Sequence, residues 1–409
     1  MITIGRMPQK VQSFFRTVDD QFTRPAFDHF WRLVLALTVC HGATIDRLSR
    51  QLRGSTHRTK HGEFLWKSTW DGPWVIQQMA LDTLKRLYRK HGGKCFFIID
   101  ETQTLKRAKK MAGVGSLFHH ATGQYGTGHT MLKVCLWYRG VTIPWGTWLY
   151  LKKKDARKEK VPFRKLTELA ADSILTAVFP KELEVTVLFD CYYLCPVVTE
   201  ACRKRHWPFI GMGKPNRWFM ANGGKHRLRD YGRNVLRRSG VWCFLRGLVG
   251  KGKYQVAERT GYVKKIGDVK IVFSRRRGDR HAVALVTSNL KAPMREVVAD
   301  YLKRWAIEVW IKSQKQQLGL GDYRVLRYRA IQRHLALVDI AYACLTHVGL
   351  KSCREQGQKN NNVLRLPSIQ TLKTRMRQII WQEEIQHVIK RSHDHSVIVR
   401  LEKLLSMAA

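Results

Sequence analysis

Through residues up to about 93, apolar positions recur at intervals of three and four, the spacing that lines one face of a helix. Phe27, Phe30, Trp31, Val34, Leu35 and Leu37 follow Pro25, a residue suited to a first helical turn, and Gly42 closes that helix. A second helix runs from Thr44 through Ile45, Leu48 and Leu52 to Gly54. After the basic stretch Thr56 to His61 comes an aromatic helix with Phe64, Trp66 and Trp70, and then a further helix from Trp74 to Lys90. At Lys94 the period changes. Cys95 to Ile99 is a continuous apolar run ending in Asp100, as expected of a strand covered on both faces. Thr130 to Tyr138 and Val141 to Leu151 read as a hairpin about Arg139-Gly140, followed by a basic loop from Lys152 to Lys160 and an amphipathic helix over Phe163 to Phe179. Val185 to Phe189 is a second buried strand, and it too ends in an acid, Asp190. A short helix at Pro196 to Arg205 and a strand at Pro208 to Gly211 complete this part.

Three strands, helix, strand, helix, strand is the ribonuclease H-like order, a mixed α/β sheet with helices on both faces. Residues 212–287 interrupt it with short, Gly-punctuated, β-forming segments and read as a mostly-β insertion domain. These segments are Val241 to Leu248, Lys253 to Ala257, Tyr262 to Ile266, Val269 to Ser274 and Ala282 to Val286. The expected organisation is therefore a helical domain at 1–93, catalytic sheet at 94–211, insertion at 212–287, the rest of the catalytic domain at 288–350 and a helical region at 351–409. In that last region Asn360 to Asn362 and Pro367 mark a linker, and a final helix runs from Ile369 to about Leu405, bent near Ser392 to Ser396.

Between Tyr301 and Lys315 there is no Gly or Pro, and Tyr301, Arg304, Glu308 and Lys315 are spaced by three, four and seven positions. On one helix they share a face. A phenol, a guanidinium, a carboxylate and an ammonium suit phosphate handling better than a core stripe, although an exposed helix laced with ion pairs gives the same pattern. Two acids at the ends of buried strands plus one on a later helix are the donor set of two-metal phosphoryl transfer. Either Asp alone reads first as the cap of a following turn or helix, and it is both together with Glu308 that point to the metal-binding set. Glu101 falls on the opposite side of its strand from Asp100.

Charge sharpens the picture. Lys+Arg 74 against Asp+Glu 31 gives a formal net charge of +43, spread along the chain, which calls for a polyanionic partner. No apolar run approaches the ~20 residues of a membrane span, and no signal-peptide pattern opens the sequence, so a membrane role is not expected. Nine Cys without a CxxC pair suit reduced thiols, with Cys191, Cys195 and Cys202 taken as small core residues rather than a zinc site. The N-terminal helices read either as a DNA-end-binding domain of helix-turn-helix type, with Arg58 and Lys60 in its basic stretch, or as a helical cap. Lys214, Arg217, Trp218 and Trp242 are the candidate DNA contacts of the insertion.

Asp100 in Phe-Ile-Ile-Asp-Glu-Thr, Asp190 in Val-Leu-Phe-Asp and the tetrad Tyr301/Arg304/Glu308/Lys315 resemble the DDE motif and YREK signature of transposases of the insertion-sequence-four superfamily. Lys315 to Asp322 and Ala330 to His334 are most similar to its insertion-sequence-701 branch. The resemblance covers roughly residues 94 to 345. It implies catalysis by Asp100, Asp190 and Glu308 holding two Mg²⁺ or Mn²⁺ ions, and phosphate contacts from Tyr301, Arg304 and Lys315. An insertion Trp, Trp242 before Trp218, would stack on a flipped base. The implied partners are double-stranded DNA, both terminal inverted repeats and target, and a second copy of the chain in a synaptic homodimer; the implied location is the cytoplasm, at the bacterial nucleoid. A structure-specific nuclease without strand transfer and a catalytically silent DNA-binding regulator are the alternatives.

Overall fold

A computed structural model describes residues 4–40, 42–54, 57–108, 110–119, 122–247, 250–355, 363–390 and 399. Five helices come first: α1 (Gln9–Phe15), α2 (Arg24–Val39), α3 (Ile45–Ser49), α4 (Arg58–Lys67) and α5 (Gly72–His91). Each expected start signal has a local cause. Thr44 accepts the Arg47 backbone N–H at the head of α3, and Asp71 accepts that of Trp74 at the head of α5, satisfying donors that a helix start leaves unpaired.

Strands β1 (Lys94–Leu105), β2 (Gly115–His119), β3 (Gln124–Tyr138) and β4 (Val141–Leu149) follow. The β3–β4 turn falls at Arg139 and Gly140, whose φ of 50° and 89° are the paired positive values of a tight hairpin. Gly140 is also required by space, because a Cβ there would lie 2.2 Å from the Leu364 carbonyl oxygen. Then come α6 (Lys153–Lys158), α7 (Leu166–Thr176), β5 (Glu184–Phe189), α8 (Pro196–Lys204) and β6 (Phe209–Gly213). The α6 turn lies within the expected basic loop. Pairing is antiparallel for β3 with β4 and β1 with β3, and parallel for β1 with β5 and β5 with β6. The order β4-β3-β1-β5-β6 is compatible with a ribonuclease H-like core.

The expected insertion is not a separate β layer. It comprises β7 (Trp218–Ala221), β8 (Gly224–Arg227), the helix α9 (Leu228–Ser239), β9 (Val241–Gly247), β10 (Gly250–Val263) and β11 (Gly267–Arg276), and leads into β12 (Val283–Thr287). Strand β12 pairs with β6, and β11, β10, β7 and β8 continue outward, so the described strands belong to one twelve-stranded sheet. Pairing there removes the open edge that β6 would otherwise present. The segments expected as two strands, Lys253 to Ala257 and Tyr262 to Ile266, are one long β10. Gly261 lies within it because the β7 backbone passes close: a Cβ there would sit 2.5 Å from the Met220 carbonyl oxygen.

Helix α10 (Met294–Tyr301), a 3₁₀ turn (Leu302–Arg304) and α11 (Trp305–Gln317) replace the single regular helix expected over Tyr301 to Lys315. Last come α12 (Tyr328–Glu355) and α13 (Ile369–Ile389). The linker at Asn360 to Asn362 and the bend near Ser392, with the continuation to Leu405, fall outside the described residues, as do Ser55 and Thr56 of the basic stretch.

Alternation splits the sheet's cores. Phe96, Ile98, Leu188, Ile210, Leu285 and Val272 face the helices α2, α11, α12 and α13, while Phe97, Ile99, Val187, Phe189 and Phe273 face the other way, toward α7, α8 and α9. Phe30, Leu37, Leu48 and Phe64 of the N-terminal helices share the first core with Trp310, Leu337 and Met376. The boundaries expected near 93 and 351 therefore separate no independent cores, and the first helices form a cap on the main body. Arg333 of α12 fastens that cap, donating from Nε to the Trp70 carbonyl (2.9 Å) and from Nη1 to that of Leu65 (3.0 Å). Contrary to expectation, one helix among the described residues is long and apolar enough to cross a membrane. It is α12, and 83% of its most apolar window is buried inside the protein, as a central core helix should be.

Candidate active site

Strands β1 and β5 run parallel with Ile99 opposite Phe189, so Asp100 and Asp190 follow that pair on neighbouring strands, about 4.8 Å apart in backbone spacing. The apolar run holds each acid at the boundary of the core. Asp190 closes a local turn: its Oδ1 accepts the backbone N–H of Tyr192 at 2.9 Å and of Tyr193 at 3.4 Å. The turn-cap reading holds for this residue, and it uses only one of the two carboxylate oxygens. Asp100 Oδ1 accepts the Glu101 backbone N–H at 2.9 Å, which leaves Oδ2 directed elsewhere.

That second oxygen meets the helical acid through a cation. Arg304 Nη1 donates to Asp100 Oδ2 at 2.8 Å, and Nη2 of the same guanidinium donates to Glu308 Oε1. The 3₁₀ turn that breaks the expected helix lies immediately before α11 and ends on Arg304, one α-turn ahead of Glu308. Three acids remote in sequence are thus brought to one place, with Arg304 standing between two of them. Among the described residues no three His, Cys, Asp or Glu side chains stand close enough to hold a metal ion. The expected three-acid metal cluster is therefore not closed in this arrangement, because the guanidinium occupies the space between Asp100 and Glu308.

Burial sets the electrostatics. It pushes the Asp100 carboxyl up to about 6; the Arg304 charge opposes that rise and the Asp190 charge adds to it. Burial alone would lower Arg304, but neighbouring Tyr301, Asp100 and Glu308 hold it above its ordinary value. Tyr301 is raised by burial, and its hydroxyl, beside Arg304 and the two aspartates, has no hydrogen-bond partner among the described residues. A buried, unsatisfied donor aimed at a cluster of charges is a group left ready for a ligand oxygen. Glu101 does fall on the other face, against Tyr193, where burial first, with Asp100 and Asp190 adding to it, raises its carboxyl to about 7.

A buried network fixes α11 against the sheet. Lys133 pairs directly across from Asp100 on β3, and its Nζ donates to Thr147 Oγ1 (2.5 Å), Gln314 Oε1 (2.5 Å) and Asp339 Oδ1 (3.0 Å). Gln314 lies six residues beyond Glu308 on α11, so anchoring it sets the rotation of the helix that carries Glu308. Nothing in the local pattern around Lys133, an ammonium in an apolar strand, reveals this role.

The remaining expected residues scatter. Lys315 is exposed two turns along α11 from Glu308. Lys214 is exposed just past the end of β6, close enough to Cys191, the neighbour of Asp190, to act on its thiol. Arg217 is instead used structurally, donating to the Leu194 carbonyl at 2.7 Å and holding the loop after β5. Arg58 and Lys60 are surface residues on α4, ion-paired with Asp46 (3.2 Å) and Glu63 (3.2 Å).

Trp218 and Trp242 are 45% and 42% exposed, so neither is a core residue. Both lie six strands from β1, roughly 29 Å across the sheet at 4.8 Å per strand. Trp218 belongs to the end of the sheet away from the acids, beside Lys225 and Arg227, whereas Trp242 lies on the β9–β10 arm at the acids' end, with Lys253 5.5 Å from its ring. Phe244, 67% exposed on the same side of that arm, escapes a search for Trp or cationic residues, though it alternates with Trp242. Of the expected cysteine core, Cys202 is buried while Cys191 and Cys195 are half-buried.

An α/β sheet with one acid inside β1 rather than at its expected end, a second just past the neighbouring β5, a third on a crossing helix and a basic surface is compatible with a phosphodiester-handling class of protein. The family model described as DDE superfamily endonuclease matches residues 18–227, just over half of the chain, and the chain belongs to that family. The match includes Asp100 and Asp190 and ends before Glu308. Membership supports a nuclease acting on DNA. No curated protein matches the chain.

Proposed function

We propose that the protein is a DNA transposase of the insertion-sequence-four type, bearing the YREK tetrad as Tyr301, Arg304, Glu308 and Lys315. It would cut transposon ends and join the freed 3′-hydroxyls to target DNA. The observation that carries this reading is the Arg304 guanidinium bound at once to Asp100 and Glu308, residues 208 positions apart in sequence, with Asp190 just past the end of the adjoining strand.

The donor set fits a hard divalent cation. Asp100 Oδ2 and the Glu308 carboxylate now share a positive partner, and Asp190 keeps one oxygen outside its turn. Mg²⁺ or Mn²⁺, two ions per site, would be held by Asp100, Asp190 and Glu308 and would supply Lewis-acid stabilisation of charge on the attacked phosphate. The chain's own groups bind and orient. The Tyr301 hydroxyl and Arg304 donate to phosphate oxygens near the scissile bond, and Lys315 and Lys214 hold the backbone on either side. Arg304 moves from the acids to the phosphate as substrate enters. Asp190, tied to the backbone of its own turn, keeps the strand-end geometry fixed during that exchange. The exposed rings of the β9–β10 arm, Trp242 foremost, offer a stacking surface for an unpaired base near the cut. The cap helices contact the terminal repeats, and two copies act together at paired ends.

The test is a strand-transfer assay with the element's own terminal sequences and Mg²⁺. Joined products dependent on Asp100, Asp190 and Glu308 support the proposal. Cleavage without joining reduces the protein to a nuclease, and neither activity removes the catalytic reading.

A further inference from the structure

The site does not end at the acids. Strand β1 continues past Asp100, and alternation returns Thr102, Thr104 and Lys106 to the same face. Helix α11 runs the same way: Glu308 joins Asp100 through Arg304, and after Lys315 the chain brings Gly321 against Thr104. Strand and helix thus lead together from the acids to a second concavity of about 630 Å³, walled by the start of α3, the segment after β1 and the loop between α11 and α12.

The lining of that cleft is strongly one-signed. Arg47, Arg107 and Arg324 are exposed around it, and Lys106 lies half-buried in its floor. Lys106 is committed to the fold, donating from Nζ to the carbonyls of Gly321 (2.6 Å) and Tyr323 (3.0 Å), so it shapes the floor. The one acid of the lining, Asp322, is engaged by the Ala43 backbone N–H at 3.2 Å. Arg107 and Arg324 form no ion pair among the described residues, unlike Arg58, Lys60 and Arg50 on the nearby cap surface. Two exposed guanidiniums left without acids, at the end of a path from the acids, are arranged for an external anion.

We infer that this cleft binds the phosphate backbone of duplex DNA flanking the cut site, with Arg107 and Arg324 as its principal contacts. Six residues of extended strand from Asp100 to Lys106 span about 20 Å. At 3.4 Å per nucleotide along one strand that is about six base pairs, so a duplex seated at Asp100 reaches the cleft a little over half a helical turn away. The inference rests on the DNA reading above and adds the direction in which the duplex leaves the site.

The test uses the full chain carrying Asp100→Asn, to prevent cutting, and a fluorescein-labelled 20-base-pair duplex titrated across salt concentrations. The double variant Arg107→Glu/Arg324→Glu is compared with Arg237→Glu/Arg238→Glu. The latter makes the same charge change on α9, behind the sheet. Because two guanidiniums no longer meet phosphates, the cleft variant should lower the slope of log affinity against log salt by about 2 and weaken binding on the order of tenfold at moderate salt. The α9 variant should change both far less. Equal losses in the two variants, or none in the cleft variant, overturn the cleft while leaving the DNA reading in place. Failure of the parent protein to bind duplex at any salt overturns both.

Discussion

Arg304 stands 2.8 Å from Asp100, an ion pair between residues 204 positions apart in which the side chains are only 15% and 17% exposed. Such a pair is shielded from water, and removing one partner leaves the other charge buried and uncompensated. Arg304→Ala should therefore raise the Asp100 carboxyl further above its value of about 6. Carbon-detected NMR titration of the Asp100 carboxyl checks this, and a fall or no change would show that the ion pair is not formed in solution.

Substitution of the acids separates chemistry from binding. Asp100→Asn, Asp190→Asn and Glu308→Gln should each reduce DNA cleavage in Mg²⁺ on the order of a thousandfold or more, by loss of charge stabilisation at the phosphate. Duplex affinity at moderate salt should stay within a few-fold of wild type, since it comes from the basic surface. A variant that cuts normally removes its residue from the proposed site.

The same aspartate makes stability depend on pH. Its folded value of about 6 lies above the ordinary 3.8, so between these values the folded state binds more protons than the unfolded one. Stability on this account is greatest in acid and declines as pH rises through that window. Asp100→Asn should accordingly stabilise the protein by roughly 2 kcal/mol more at pH 7.5 than at pH 4.5. Denaturant melts of both proteins at the two pH values measure it, and the reverse order contradicts the burial argument.

Lys133 and Asp339 are both fully buried and 3.0 Å apart. Lys133→Met should cost about 3–5 kcal/mol by stranding the Asp339 carboxylate, whereas Lys133→Met/Asp339→Leu should recover much of that loss. Because Gln314 belongs to the same network, the single variant should also loosen α11, seen as faster amide exchange around Glu308. Equal destabilisation by the single and double variants would show that packing volume, not charge, is what matters.

Exposed rings on the β9–β10 arm separate stability from base recognition. Trp242→Ala and Phe244→Ala leave the core intact, so stability should change by less than about 1 kcal/mol. Binding to DNA with an unpaired base near the cut should weaken by about 1–3 kcal/mol for each ring removed. Fluorescence anisotropy with paired and unpaired substrates distinguishes the two, and identical effects on both would exclude stacking.

By itself the sequence determined the strands that carry the acids, the hairpin at Arg139-Gly140, the helical character of both flanks and the polyanionic partner. Each follows from local physics: period, turn chemistry and summed charge are properties of neighbouring residues. It also separated Glu101 from Asp100, because alternation along a strand is local.

Tertiary structure decided the rest. That Arg304 lies between Asp100 and Glu308 depends on how α11 docks on β1, and Lys133, Gln314 and Asp339 set that docking from three distant parts of the chain. The insertion joined the main sheet because the β6 edge was available for pairing, and the N-terminal helices became a cap because their apolar faces fit those of α12. Edges and faces are matched only after collapse, so no window of sequence contains them.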